Sequence, residues 1–271
     1  MASLTSTTPE RAADLHANLA AIRARVQKHT PPAAPRPPTL VAVSKYKPAS
    51  DVQACYEADQ RDFGENYVQE LVDKAALLPA DIRWHFIGTL QSNKAKLLAS
   101  IPNLYAVQTI TSVKAATALD KALGPTRTAP LNVFLQVNTS GEDAKSGLPP
   151  LTPADAPGAA DSALAQLALH VVRACPKLHL QGLMTIGALA ASLEAVDKGN
   201  EDFERLVSTR EVLEGTLRAQ GVEGWGEDGR LLISMGMSSD FEAALKAGSD
   251  IVRVGTGVFG ERHLKGEVPA S

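Results

Sequence analysis

Lys45 stands directly after a short apolar run, Leu40–Val43, and one serine, Ser44. The end of a buried strand is where α/β folds keep their chemistry. An amine held there can be desolvated, lowered in pKa and used as a nucleophile toward a carbonyl. A lysine in this position can equally be a solvated loop residue, since lysine is mostly exposed. Two later segments add a second kind of chemistry. Ser234-Met235-Gly236-Met237-Ser238 and Gly255-Thr256-Gly257 each follow an apolar run. Backbone N–H groups in such loops bind phosphate in barrels, and glycine lets the backbone approach an anion closely. Ser238, Ser239 and Asp240 can also serve as plain helix caps.

Arg253 lies inside the last apolar run, two residues before Gly255. A buried arginine needs an acceptor, so it is either half of a structural ion pair or a hydrogen-bond donor to a ligand's ring. Lysine, phosphate loops and inward arginine together fit an aldehyde-bearing phosphate, either pyridoxal phosphate or a sugar phosphate. Gly255–Gly260 matches GxGxxG formally, but too little chain follows to complete a dinucleotide-binding unit. Gly141–Ser146 lacks the glycine before the lysine that a P-loop requires.

The elements that must position these residues follow from hydrophobic periodicity. In Glu10–His29, Leu15, Leu19, Ile22 and Val26 mark one face of an amphipathic helix. Pro31–Pro38, with five prolines, ends it as a stiff connector. Strand-like runs then alternate with helix-like stretches: Leu40–Val43, Arg61–Phe63, Arg83–Phe86, Leu104–Val107, Val133–Val137, His179–Leu183, Leu231–Ile233 and Ile251–Val254. Eight such units predict a closed parallel (β/α)8 barrel, with a doubly wound open sheet as the rival. The expected organisation is a helix and connector over 1–38, a barrel over 39–262 and a tail over 263–271. Leu148–Ala160, rich in Pro and Ala, reads as a surface insertion. Polar residues collect after the strands: Glu65 and Asn66 after the second, His85 near the end of the third, Gln108 after the fourth, Met184 and Thr185 after the sixth.

Composition narrows the classes. The chain has 271 residues, 44% hydrophobic and 21% charged, with a net charge of -3. That is an ordinary globular composition, and the charge argues against a nucleic-acid binder. Cys55 and Cys175 have no CxxC spacing, and the six histidines show no metal-ligand pattern, so no metal is expected. With no long apolar stretch and no secretory h-region, a cytoplasmic protein without membrane contact is expected.

Several longer motifs, in order, resemble the pyridoxal phosphate homeostasis proteins: Val41-Ala42-Val43-Ser44-Lys45, Phe63-Gly64-Glu65-Asn66-Tyr67, Trp84–Lys94, Gly182–Ile186, Ser234–Ser238 and Val252–Thr256. The resemblance covers Leu40 to Arg262. It implies a barrel like the N-terminal domain of alanine racemase and pyridoxal 5'-phosphate held as an aldimine on Lys45. It implies phosphate contacts from the Ser234–Ser238 loop, Gly255 and Thr256, with Arg253 facing the pyridine nitrogen. The cofactor-binding set expected is Lys45, Asn66, His85, Met184, Ser234, Ser238, Arg253, Gly255 and Thr256. A monomer that buffers and delivers the cofactor, through transient contact with apo-enzymes and without robust turnover, is the implied function. An amino-acid racemase using Tyr46, Tyr67 or His85 is the alternative, and a lysine aldolase acting on a sugar phosphate is a third. Lys145 is a candidate contact for a second, transient cofactor site.

Overall fold

The computed structural model describes residues 6–125, 127–142, 145–187 and 200–261. Helix α1 spans Pro9–His29. The Thr8 side chain accepts from Arg11 N, and Pro9 sits where a missing N–H costs nothing. Its buried residues are Leu15, Leu19, Ile22 and Val26, the stripe that the spacing predicts.

Eight strands follow: β1 Thr39–Val43, β2 Asp62–Glu65, β3 Arg83–Phe86, β4 Leu104–Ile110, β5 Leu131–Gln136, β6 Leu178–Met184, β7 Leu232–Ser234 and β8 Ile251–Val254. The helices after α1 are α2 Ala49–Glu57, α3 Val68–Ala75, α4 Ala95–Ala99, α5 Val113–Ala122, α6 Ala163–Ala174, α7 Glu201–Ala219, α8 Phe241–Lys246 and α9 Thr256–Phe259. All strands are parallel and the sheet closes, with β1 paired to β8 from Thr39↔Ile251 to Ala42↔Val254. Closure eliminates the open-sheet alternative.

Helix α9 is a single turn, too short to cover the seam between β8 and β1. The N-terminal helix takes that place, packing against α2, α8 and α9. Arg11 ties the group together, donating to Asp51 Oδ2 at 2.7 Å and to the Phe259 carbonyl at 2.8 Å. The N-terminal segment is therefore part of the barrel's outer layer. No described helix is long and apolar enough to cross a membrane, and the described residues hold no metal-binding cluster.

Four strands run past their expected ends, while β5 stops at Gln136, one residue short of the expected Val137. β2, β4, β6 and β7 run on to Glu65, Ile110, Met184 and Ser234. Glu65, Gln108, Met184 and Ser234 are thus strand residues and not loop residues, and all are buried. Leu148–Ala160 also departs from expectation. Leu148 N donates to Gln136 O at 2.8 Å, and Leu151 exchanges hydrogen bonds with Thr209 of α7. Leu151 and Ala159 are buried, and a 3-10 helix, Pro153–Asp161, packs on α6 and α7. This segment is docked at both ends and exposed only in its middle. The expected 263–271 tail, like Arg262, lies outside the described residues.

Helix α3 clamps the loop that carries Lys45. Lys74 Nζ, 5% exposed as a residue, donates to Glu65 Oε1 at 2.6 Å, to the Ser44 carbonyl at 2.7 Å and to Glu70 Oε1 at 2.7 Å. Ser44 Oγ donates to Glu65 Oε1 at 2.6 Å, and Tyr46 N donates to Glu70 Oε1 at 2.7 Å. Tyr46 sits at φ 63, a left-handed conformation that costs a side-chain-bearing residue about 1–2 kcal/mol. The Glu70 bond holds it there. Burial raises the Glu65 carboxyl above its ordinary range, opposed by Lys74.

Removing one partner of such a pair leaves an uncompensated buried charge. Lys74→Met is expected to lose about 3–5 kcal/mol of stability by urea unfolding. The sign with pH follows from Glu65. A carboxyl raised by burial favours the folded state most at and below its ordinary value, and that contribution fades as the pH climbs through the folded value. The Lys74→Met deficit should therefore be largest near neutrality and should narrow on acidification. A pH-independent deficit contradicts this account.

Candidate functional site

The carboxyl ends of β1, β7 and β8 border a cavity of about 490 Å3. Lys45 enters it from β1, Met237, Ser238 and Ser239 from the loop after β7, and Arg253, Gly255 and Thr256 from β8 and its loop. Two bonds shape these loops. Gly255 N donates to Ser238 Oγ at 3.1 Å, and Met237 N donates to Asp240 Oδ1 at 2.6 Å. Ser238 therefore ties the two loops together; it does not cap α8. Gly236, at φ +92, lets the chain turn against α8, where an added Cβ would fall 2.5 Å from Ala244 Cβ. Helix α9 starts at Thr256, and the first N–H groups of a helix have no acceptor within it. The wall opposite Lys45 thus presents hydroxyls and backbone N–H groups, which suit an anion.

Arg253 forms the inner wall. It is 4% exposed, with Nη1 donating to Ser234 Oγ at 2.7 Å and Nη2 to the Thr185 carbonyl at 2.7 Å. Burial pushes its guanidinium down to about 10, with the negative charge of Asp240 opposing. It remains a cation near neutrality, and a donor only.

The other expected contacts lie elsewhere. His85 is fully buried between Asp62 and Gln108 in the barrel interior. Met184 packs in an interior apolar tier with Val41, Phe134, Leu232 and Ile251. Ser234 is consumed by Arg253 and Gln108. Asn66 lines a second mouth recess of about 240 Å3, beyond Ile87, with Thr89, Gln136, Asn138, Lys145 and Thr185. The Asn66 Oδ1 is buried with no hydrogen-bond partner among the described residues. Lys145 is tethered there to Glu142 Oε1 at 2.8 Å and to Gly187 O at 3.0 Å. Tyr46 and Tyr67 are 58% and 47% exposed and touch each other through rings and hydroxyls.

Sequence reasoning missed Lys74, Glu70 and the interior role of Gln108. An i,i+4 Glu70–Lys74 pair reads as a solvated helix face, and only the fold shows it under Lys45. Another recess, about 860 Å3, opens at the opposite barrel end, beside the proline connector. Its arginines are engaged: Arg23 with the Ala58 carbonyl and Gln60, Arg61 with Asp81, Arg83 with Asp62. Barrel chemistry belongs at the carboxyl ends of the strands, so the Lys45 cavity is the candidate.

The chain is similar to known proteins along most of its length. The family model for the alanine racemase N-terminal domain matches residues 17–263. The pyridoxal phosphate homeostasis protein of Schizosaccharomyces pombe is 42% identical over 248 residues, covering 92% of this chain and 93% of the relative. The human protein of that name is 42% identical over 236 residues, covering 83% and 77%. PipY of Synechococcus elongatus, solved with pyridoxal phosphate bound, superimposes with a TM-score of 0.65 at 32% identity, covering 91% of this chain and 100% of that one. Lys45 after β1, the β7 and β8 loops and the closed barrel thus stand in a chain that belongs to the pyridoxal phosphate homeostasis protein family, built on an alanine racemase N-terminal domain.

Proposed function

We propose that this protein binds pyridoxal 5'-phosphate through Lys45 and holds it for delivery, without turning over a substrate. One observation carries the reading: Lys45, Arg253, Ser238, Gly255 and Thr256, drawn from three strand ends, line one cavity. Its volume, about 490 Å3, falls in the range of small-molecule sites. The donor set fits the cofactor: an amine for its aldehyde, hydroxyls and backbone N–H groups for its phosphate, and a guanidinium for its ring nitrogen. Bound pyridoxal phosphate supplies an aldehyde and a ring that draws electrons from an attached carbon. Arg253 donates without accepting, so it leaves that nitrogen unprotonated and the ring a weak electron sink.

The holding role is supported by what lines the cavity. Of the candidate bases, His85, Tyr46 and Tyr67 are all absent from the described lining. Lys47, which does line it, donates to the Glu261 carbonyl at 2.7 Å. Among the expected contacts, Lys45, Ser238, Arg253, Gly255 and Thr256 act on the ligand directly. His85, Met184 and Ser234 act from behind the cavity wall, and Asn66 borders the adjoining recess. Delivery runs as a monomer in the cytoplasm, with an apo-enzyme meeting the exposed rim around Tyr46 and Tyr67.

Borohydride reduction of the loaded protein, followed by peptide mass mapping, should place the label on Lys45. Lys45→Ala should lose both the label and the visible absorption band. Label on another side chain, or trapping only with a sugar phosphate, overturns the reading. Incubation with a panel of L-amino acids should yield no D-isomer and no α-proton exchange. Robust turnover that disappears in Lys45→Ala would establish the racemase instead.

A further inference from the structure

Ser234, Gln108 and His85 are each 0% exposed, and none lines the mouth cavity. They form a continuous chain through the barrel interior. Arg253 Nη1 donates to Ser234 Oγ at 2.7 Å, and Ser234 Oγ donates to Gln108 Oε1 at 2.7 Å. Gln108 Nε2 lies 3.0 Å from His85 Nδ1, and His85 Nε2 lies 3.0 Å from Asp62 Oδ1. Arg83 closes the far end, its Nε donating to Asp62 Oδ1 at 2.8 Å. The chain thus spans from the mouth wall to the first residue of β2.

Donor chemistry gives this chain one direction. A guanidinium only donates, so the Ser234 oxygen accepts from Arg253 and its hydroxyl proton must go to Gln108 Oε1. The Gln108 amide is thereby oriented, with its NH2 toward His85 Nδ1, which must accept. The imidazole proton then sits on Nε2 and is donated to Asp62. Burial works to raise the Asp62 carboxyl, but hydrogen bonds from Arg83 and His85 outweigh it and hold it below the ordinary carboxylate range. The Asp62 end therefore stays an acceptor. With the Ser234 hydroxyl donating to Gln108 Oε1, the links to His85 and Asp62 follow in that order.

We propose that His85, acting through Gln108 and Ser234, is the positioning residue that fixes the Arg253 guanidinium in the cavity wall. The assignment rests on the pyridoxal phosphate reading above, with Arg253 meeting the ring. His85 touches no ligand in this role. It supplies the acceptor that orients Gln108, which in turn supplies the acceptor for the Ser234 proton.

The test uses the full chain loaded with pyridoxal phosphate, in the parental form and as Gln108→Leu, His85→Leu and His85→Gln. Near-UV circular dichroism checks folding. Each leucine variant breaks the chain, and each should bind the cofactor about tenfold more weakly, the scale of one buried hydrogen bond. The bound cofactor's absorption band should also shift, because its ring neighbour has moved. His85→Gln carries both an acceptor and a donor, and it should recover the binding and the band. The borohydride label should remain on Lys45 throughout. Folded leucine variants with parental affinity and band overturn the proposal and leave the Lys45 reading standing. Weaker binding with an unshifted band, or no recovery in His85→Gln, overturns it as well. A parental chain that takes no label on Lys45 removes the reading beneath it. Should the leucine variants fail to fold, 15N NMR of the parental imidazoles decides. A proton on His85 Nε2 and none on Nδ1 is expected, and a proton on Nδ1 overturns the chain.

Discussion

A guanidinium only 4% exposed in the inner wall of a barrel mouth has to be given acceptors by the protein. Much of this interior answers that demand. The Thr185 carbonyl takes one donor of Arg253 and the Ser234 hydroxyl takes another. The serine needs Gln108, Gln108 needs His85, and His85 needs Asp62. Parallel barrel strands are ordinarily near-continuous apolar runs. Here four of them each give up an inward position to a polar side chain of the chain below Arg253, while Val41, Phe134, Met184, Leu232 and Ile251 keep the rest apolar.

Closure of the sheet is what makes the arginine useful. The β1–β8 pairing sets Val41 opposite Arg253 and Ala42 opposite Val254. Lys45, four residues beyond Val41, is thereby brought over the loop that starts at Gly255. In an open sheet these two strands could lie at opposite edges, and the same residues would share nothing. The N-terminal helix matters for the same reason. It covers the seam where α9, a single turn, leaves both strands exposed, and Arg11 bonds to α2 and α9 together. The helix that its apolar stripe marks in the sequence thus packs beside the two strands that carry the site.

The sequence made the frame legible because the frame is apolar. The stripe of Leu15, Leu19, Ile22 and Val26 marked α1, and each of the eight strand-like runs overlaps a strand, although β2 and β3 hold only two apolar residues or fewer. Lys45, the β7 and β8 loops and Arg253 were legible from their offsets to those runs, and they do share a cavity. What stayed hidden were polar residues doing interior work. Gln108, Ser234 and Glu65 look like the loop residues that follow a strand, because buried strands are expected to be apolar and turns are expected to be polar. Each becomes a strand residue only when a distant partner satisfies it: Gln108 for Ser234, Lys74 for Glu65. Those partners are 126 and 9 residues away, and no local pattern encodes them.

The two sides of the cavity are supported in different ways. Behind Arg253 the support is a chain of buried side chains, Ser234, Gln108, His85 and Asp62, each hydrogen-bonded to the next. Under Lys45 it is a clamp on the backbone: α3 grips Ser44 through its carbonyl and hydroxyl, and Tyr46 through its amide. The clamp thus acts on the backbone on either side of Lys45. The described lining adds hydroxyls and cations, Ser238, Ser239, Thr256, Lys47 and Arg253, and no carboxylate or imidazole. Hydroxyls and cations can each donate a hydrogen bond to an anion, and here they reach one cavity from β8 and from the loops after β1, β7 and β8.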